Sequence, residues 1–335
     1  MAQQSSLYKP TDFWSDASNS ILKELADQGV DSFRSLESSL WFFVPTYGHP
    51  GSGITQELIT SVMAELDQLS ATEKQKKVFE LFLNGYQSAL ADYRVFLASN
   101  SDENPPLLNQ FSESKVGCPK EHFEFDDKWF SRSSLNYLLG LSFLKKHINF
   151  NEIQTVLEIG GGFGTLGEIL LKTTSDLKYI DIDIPPTANV SHYYLNQNFG
   201  QENVTSFLDV EKTDEILIKD LKKASVLCSW QIEKLVGKVD LFVNYISFQE
   251  MEPDVVDNYL KHVSRLGTKW VLLRNMREGK QLKKDNGVGV KQPILSSDYE
   301  NMLENFELVE RNVNPFGFKT VDGYHSEIFL FRRKD

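Results

Sequence analysis

Val156-Leu157-Glu158-Ile159-Gly160-Gly161-Gly162-Phe163-Gly164 is the stretch on which the reading of this chain turns. It starts as a β-rich strand, passes through four glycines in five positions, and opens a helical run from Thr165 to Lys172. Glycine is needed where the chain leaves a strand sharply and where backbone must approach a ligand with no Cβ in the way. A carboxylate on the strand itself, Glu158, is costly unless it finds a polar partner. In an open α/β sheet a ligand sits beyond the carboxyl ends of such strands.

The surrounding pattern extends this unit in both directions. From Thr155 onward, short β-rich runs alternate with helical ones, the mark of a mostly parallel sheet covered by helices. The strand candidates are Thr155-Ile159, Lys178-Ile182, Val239-Tyr245, Trp270-Arg274, Phe306-Asn312 and Glu327-Arg332. A further strand lies at either Thr205-Leu208 or Ser225-Trp230. The last two strands are too close for a helix between them and should pair antiparallel. Upstream, Leu135 to His147 reads as a helix. Before it, Leu58, Ile59, Val62, Met63, Leu66 and Leu69 repeat at helical spacing, as do Phe79, Phe82, Leu83, Tyr86, Leu90 and Tyr93. Ser70-Ala71-Thr72-Glu73 between them offers capping residues, and the aromatics here are expected to form a helix-packing core. Ser99 to Cys118, with its Pro105-Pro106 pair, reads as a linker. The expected division is a helical region over 1–117 and an α/β domain over 118–335.

Bulk composition narrows the partners. The 335 residues are 41% hydrophobic, and 35 Lys and Arg against 47 Asp and Glu leave a formal charge of −12. Nucleic-acid binding usually rests on clustered basic residues, and no basic block here interleaves with aromatics, so no nucleic-acid partner is expected. Lys280 to Lys291 reads as a short solvated loop. Two distant cysteines, Cys118 and Cys228, argue against a disulfide framework or zinc site and for a reducing compartment. With no leader-like N-terminus and no membrane-spanning stretch, a cytoplasmic protein is expected; a homo-oligomer stays open.

Two cofactors compete for the glycine loop. Gly162-x-Gly164-x-x-Gly167 satisfies a dinucleotide pattern, with Asp183 at a suitable distance downstream. Three features instead favour S-adenosylmethionine (SAM): the acid before the glycines, the Gly160-x-Gly162-x-Gly164 phasing, and the two strands that close the chain, as in class I methyltransferases. In that superfamily an acid at the position of Glu158 supports the methionine end of SAM, and the loop Gly160, Gly161, Gly162, Phe163 and Gly164 holds the cofactor. In Tyr179-Ile180-Asp181-Ile182-Asp183-Ile184-Pro185-Pro186, Asp183 is the candidate for the ribose hydroxyls. Asp181 has the same strand parity and either shapes the site or is a satisfied buried acid. Asp209 meets the adenine if Thr205-Leu208 is the third strand; otherwise that contact moves to Ser229 or Trp230.

With these residues in view, the chain resembles a sugar O-methyltransferase family whose named relatives methylate deoxysugars in polyketide antibiotic pathways such as nanchangmycin. The resemblance rests on Glu158 to Gly164, on Asp181 to Pro186, and on Asn244-Tyr245-Ile246-Ser247-Phe248-Gln249-Glu250-Met251, with a looser match at Phe13-Trp14 and Gly29 to Arg34. It implies a Rossmann-like seven-stranded sheet, SAM as cofactor, Asn244 near it, and methyl transfer to a sugar hydroxyl of a small-molecule or glycan acceptor. A protein or nucleic-acid acceptor, or a non-catalytic SAM-binding protein, are the alternatives.

A hydroxyl is a weak nucleophile, so a general base or a metal must manage its proton. Glu250, after the fourth strand, is the first candidate, and His325, before the last strand, the second. His192 is a weaker one. Magnesium held by Asp181, Glu250 or Glu252 is the disfavoured arrangement.

Overall fold

The computed structural model describes residues 4–42, 56–283, 289–320 and 323–334. Ten helices and thirteen strands run through them in the order α1 (Asp12–Gln28), α2 (Glu37–Phe42), α3 (Gln56–Gln68), α4 (Glu73–Leu83), α5 (Tyr86–Ser99), β1 (Phe123–Phe125), β2 (Lys128–Phe130), α6 (Arg132–Leu144), β3 (Thr155–Ile159), α7 (Thr165–Thr173), β4 (Lys178–Asp183), α8 (Pro185–Phe199), β5 (Val204–Thr205), β6 (Ile216–Leu217), β7 (Ala224–Cys228), β8 (Leu235–Val236), β9 (Leu241–Tyr245), α9 (Pro253–Arg265), β10 (Trp270–Met276), α10 (Ser296–Met302), β11 (Phe306–Asn312), β12 (Phe318–Lys319) and β13 (His325–Arg333).

The main sheet has the order β11-β13-β10-β9-β3-β4-β7-β5, with β12 on β13. Pairings from β5 to β10 are parallel, whereas β13 runs antiparallel between β10 and β11. This is a mostly parallel sheet with an antiparallel ending, and its seven longer strands are those the sequence suggested. The open choice of third strand resolves to β7, because Ala224–Cys228 is wholly buried beside β4. The rival run contributes only Val204–Thr205 at the sheet edge before the chain turns.

The central strands are covered on both faces, so their sequences are continuous apolar runs rather than alternating ones. Their side chains still alternate between two cores. Val156, Val243, Leu272, Ile328 and Leu330 face one core with residues of α5 to α8. Leu157, Phe242, Leu273, Phe329 and Phe331 face the other with α9, α10 and Tyr8. Glu158 shares the parity of Val156 and therefore points under α6. The N-terminal region shares the first core through Phe33, Leu36, Tyr93 and Phe96.

The helical run expected from Phe79 to Tyr93 is broken in two. Gly85 adopts φ +85°, which L side chains rarely take, and separates α4 from α5. The expected packing core also holds only for α5: Phe79 and Phe82 on α4 are 47% and 53% exposed. Thr72, within the run expected to offer capping residues, caps α4 with a reciprocal Gln75 bond. Among the described residues, no helix is long and apolar enough to cross a membrane.

Candidate active site

A cavity of about 520 Å³ opens at the carboxyl ends of β3, β4 and β9. Its floor is the turn from β3 into α7. Gly160, Gly162 and Gly164 all have positive φ, and Gly164 is the left-handed N-cap of α7. Gly161 is required for a different reason. A Cβ there would lie 2.6 Å from Asp181 Oδ1 and 2.8 Å from Glu158 Oε2. Gly160, Gly161, Gly162 and Phe163 line the cavity, whereas Gly164 only turns the chain into the helix. Gly167, which completes the dinucleotide-like spacing, is explained by packing: a Cβ would sit 2.5 Å from the Tyr179 ring.

Beneath this floor lies a group of buried acids. Glu158 accepts hydrogen bonds from Tyr137 Oη at 2.7 Å and Tyr179 Oη at 2.5 Å. Asp181 accepts from Ser191 Oγ at 2.5 Å and the Gly161 amide at 3.3 Å. Asp181 is thus a satisfied buried acid outside the cavity lining, and so is Glu158. Asp183 alone of the three reaches the cavity, with Oδ2 accepting from the Gly162 amide at 3.1 Å and Oδ1 from the Ile184 amide at 2.7 Å. Burial, with the charge of Asp181 beside it, pushes Glu158 up to about 8. Burial likewise raises Asp181 to about 7, against the hydrogen bonds of Ser191 and Gly161. Burial and Asp181 raise Asp183 as well.

These shifts predict a pH signature. Unfolded carboxyls ionise at about 4, while folded Glu158 and Asp181 keep their protons to higher pH. Between roughly pH 4 and 8 the native state therefore binds more protons than the unfolded chain, so this group's contribution to stability falls as pH rises. Glu158→Gln is neutral throughout and should escape its share of that loss. The thermal midpoint of the variant minus that of the native protein should climb from pH 5 to pH 8. A flat difference would mean that Glu158 is ionised across the range.

The segment after β9 explains its own polar residues. Asn244 donates to Ile159 O at 2.9 Å and to Ser247 Oγ at 2.6 Å, and Ser247 Oγ donates to Ile159 O at 3.1 Å. Asn275 donates to Asn244 Oδ1 at 3.3 Å, and Gln249 Oε1 accepts from the Met276 amide at 2.7 Å. This network ties β3, β9 and β10 together and holds Ile246 at φ +74°, a strained value for a β-branched residue. Ile246 and Ser247 line the cavity; Asn244 lies below it. On the opposite side α6 contributes Ser133, Asn136 and Tyr137, the last stacked on Tyr245 with ring centroids 4.8 Å apart.

Glu250 also reaches the cavity, 7% exposed, at the end of a short turn before α9 rather than inside that helix. Its Oε1 accepts from Lys280 Nζ at 3.0 Å and its Oε2 from Trp14 Nε1 at 3.1 Å. The N-terminal segment runs across the mouth. Tyr8 O accepts from Ser229 Oγ at 2.6 Å, Thr11 Oγ1 donates to Glu250 O at 3.0 Å, and Lys9, Pro10, Thr11, Phe13 and Trp14 line the cavity.

Three expectations change here. Asp209 is exposed and outside the lining, its Oδ2 held by the Ser206 amide at 2.9 Å, because β7 rather than the 205–208 run is the third strand. His325 is also outside; its Nδ1 lies 2.6 Å from Glu278 Oε1 at the surface. Lys280 is not solvated but buried against Glu250 and over the Phe13 ring, 4.8 Å from its centroid. Within its loop only residues 284–288 lie outside the described residues. The strap of residues 9–14, which ends in the first turn of α1, and Lys280 had no short-range signal, since what places them is contact with a carboxylate more than 200 positions from Trp14. Phe13-Trp14 stood out only as part of the family resemblance.

The carboxylates considered for magnesium are engaged separately: Asp181 by Ser191, Glu250 by Lys280 and Trp14, Glu252 by the Lys291 and Gln292 amides. Among the described residues, no group of three or more His, Cys, Asp or Glu is arranged to hold a metal ion.

No known family profile matches the chain, and no curated protein matches it in sequence. Among solved structures it is similar to the mitomycin 7-O-methyltransferase MmcR, at 14% identity over 60% of this chain and 55% of that one, with a TM-score of 0.39. It is similar to the magnesium protoporphyrin IX methyltransferase of Synechocystis PCC 6803 with bound SAM, at 12% identity over 61% and 81% of the two chains, TM-score 0.39. A third is the N-terminal domain of EvdMO1 in the presence of S-adenosylhomocysteine (SAH) and D-fucose, at 10% identity over 74% and 97%, TM-score 0.40. The chain spans about half the length of the mitomycin enzyme.

Proposed function

We propose that this chain is a SAM-dependent methyltransferase that methylates a hydroxyl of a sugar, with residues 118–335 as the catalytic domain and 1–117 as a helical region whose start covers its mouth. The observation that carries the reading is one cavity at the strand ends holding Gly160, Gly161, Gly162, Asp183 and Glu250 together. Its volume of about 520 Å³ suits a ligand of this size. The glycine floor admits a ligand against bare backbone, and the Asp183 carboxyl is the acceptor for paired ribose hydroxyls. Support for a sugar comes from the Asn244 to Met251 run and from a lining that mixes aromatic rings with a few polar groups. Two free cysteines, Cys118 and Cys228, fit a reducing, cytoplasmic setting.

When bound, SAM supplies an activated methyl group, and the acceptor hydroxyl that receives it must give up a proton. Glu250 is the group placed to take that proton. Its oxygens each hold one donor already, which fixes the carboxylate in orientation while leaving lone pairs for an acceptor hydroxyl. The strap and α6 keep water from the reacting atoms. Ser247 and Asn244 act through the Ile246 turn as positioning residues.

The direct test is calorimetric titration with SAH. Asp183→Ala removes the acceptor of two hydrogen bonds, a loss of roughly 0.5–1.5 kcal/mol each, so affinity should fall by about one to two orders of magnitude. Asp181→Ala should instead reduce stability, since Asp181 binds Ser191 and Gly161 beneath the floor. Normal affinity in Asp183→Ala with loss in Asp181→Ala would transfer the ribose role to the other aspartate.

A further inference from the structure

One wall of the cavity is built from two distant segments. Trp14 comes from the N-terminal strap and Lys280 from the loop after β10, and both bind Glu250, at 3.1 Å and 3.0 Å. One wall therefore presents an accepting carboxylate beside a donating ammonium, about one hydrogen-bond length apart. The indole edge is committed to Glu250, and Trp14 lines the cavity half-buried, so its contribution to a ligand is its ring surface. Phe13 carries Lys280 over its ring and holds the ammonium in place.

Resting on the proposed methyl transfer, we infer that the acceptor is a ring bearing two adjacent hydroxyls, one donating to Glu250 and its neighbour accepting from Lys280, with the ring's C–H face against Trp14. Adjacent hydroxyls on a six-membered ring stand about as far apart as hydrogen-bonded atoms do, so a vicinal pair spans the carboxylate and the ammonium together. A ring lacking either hydroxyl forgoes one of the two charge-assisted hydrogen bonds this wall offers, which is how polar sites discriminate against analogues. Trp14 and Lys280 are then specificity-determining residues, and the hydroxyl on Glu250 is the one methylated.

The test uses the full chain loaded with SAH and follows ligand binding by saturation-transfer NMR. The probes are methyl glycosides of hexoses and 6-deoxyhexoses, each beside an analogue with one hydroxyl of the adjacent pair removed. Intact diols should bind roughly 10- to 100-fold better than their deoxy partners. Trp14→Ala and Lys280→Met should each weaken diol binding at least about tenfold, with SAH affinity held within about threefold. In Lys280→Met the difference between the diol and the analogue lacking the hydroxyl that accepts from Lys280 should vanish, while the analogue lacking its neighbour stays weaker. Trp14→Phe keeps a ring, guards against misfolding of the alanine variant, and should retain most binding. Equal binding of diol and deoxy probes, or unchanged binding in both variants, overturns the inference. So does a parallel loss of SAH affinity, which would assign this wall to the cofactor. If SAH binds but no glycoside does, this inference and the sugar acceptor fall while cofactor binding stands. If SAH gives no heat with the native protein, the methyltransferase reading itself falls.

Discussion

Gly162→Val is expected to abolish binding of SAH while leaving the fold intact. Gly162 has φ +65°, its amide donates to Asp183, and it lies on the cavity floor. A β-branched residue held there costs roughly 1–3 kcal/mol in backbone strain, and its methyls would stand where the ligand meets bare backbone. The strain is shared by free and bound protein and lowers stability only, whereas the steric block should drop affinity by more than about 100-fold, to no measurable heat. Gly162→Ala, with one small Cβ, should fall between valine and glycine. The circular dichroism of both variants should match that of the native protein, because Gly162 is at the surface of the cavity and not in either apolar core. Native affinity in Gly162→Val would remove this loop from the cofactor site.

Replacing Glu250 should strike turnover rather than cofactor affinity. Loss of a general base lowers rates by roughly 10²–10⁴-fold, and Glu250→Gln keeps the shape and one accepting oxygen for Trp14 or Lys280. Methylation, scored at saturating SAM over free and nucleotide-linked sugars, should fall by that factor, with SAH affinity within a few fold. Turnover preserved in Glu250→Gln would leave only a scaffolding role for this residue, as the link between the strap and the Lys280 loop. Methylation of a peptide or RNA in place of every sugar would end the sugar reading without touching the cofactor loop.

These two sites differ in how they could be read from the chain. The glycine floor was legible because everything that shapes it is local. Sharp turns need positive φ at Gly160, Gly162 and Gly164, and those demands are written into neighbouring positions. Asp183 was legible for the same reason, lying at the end of a strand with Pro185 opening α8. The polar residues of the Asn244 to Met251 run were visible too, yet their roles divided only in space. Asn244 and Gln249 hold strands together, whereas Ser247 and Glu250 reach the cavity.

What the amino-acid sequence determined by itself was the sheet, its antiparallel ending, the glycine loop and the acid at the tip of β4, since each follows from propensity, periodicity or turn chemistry over a few residues. Tertiary structure alone decided the third strand, because Thr205-Leu208 and Ala224–Cys228 are both β-prone and only one has a buried place beside β4. It decided against Asp209 and His325, which are chemically suitable but lie outside the cavity. It also brought Trp14 and Lys280 to the cavity, where their partner is a carboxylate far away in the chain. No local pattern encodes such a meeting, since what brings an indole and an ammonium to Glu250 is the packing of the strap and the β10 loop over one end of the sheet.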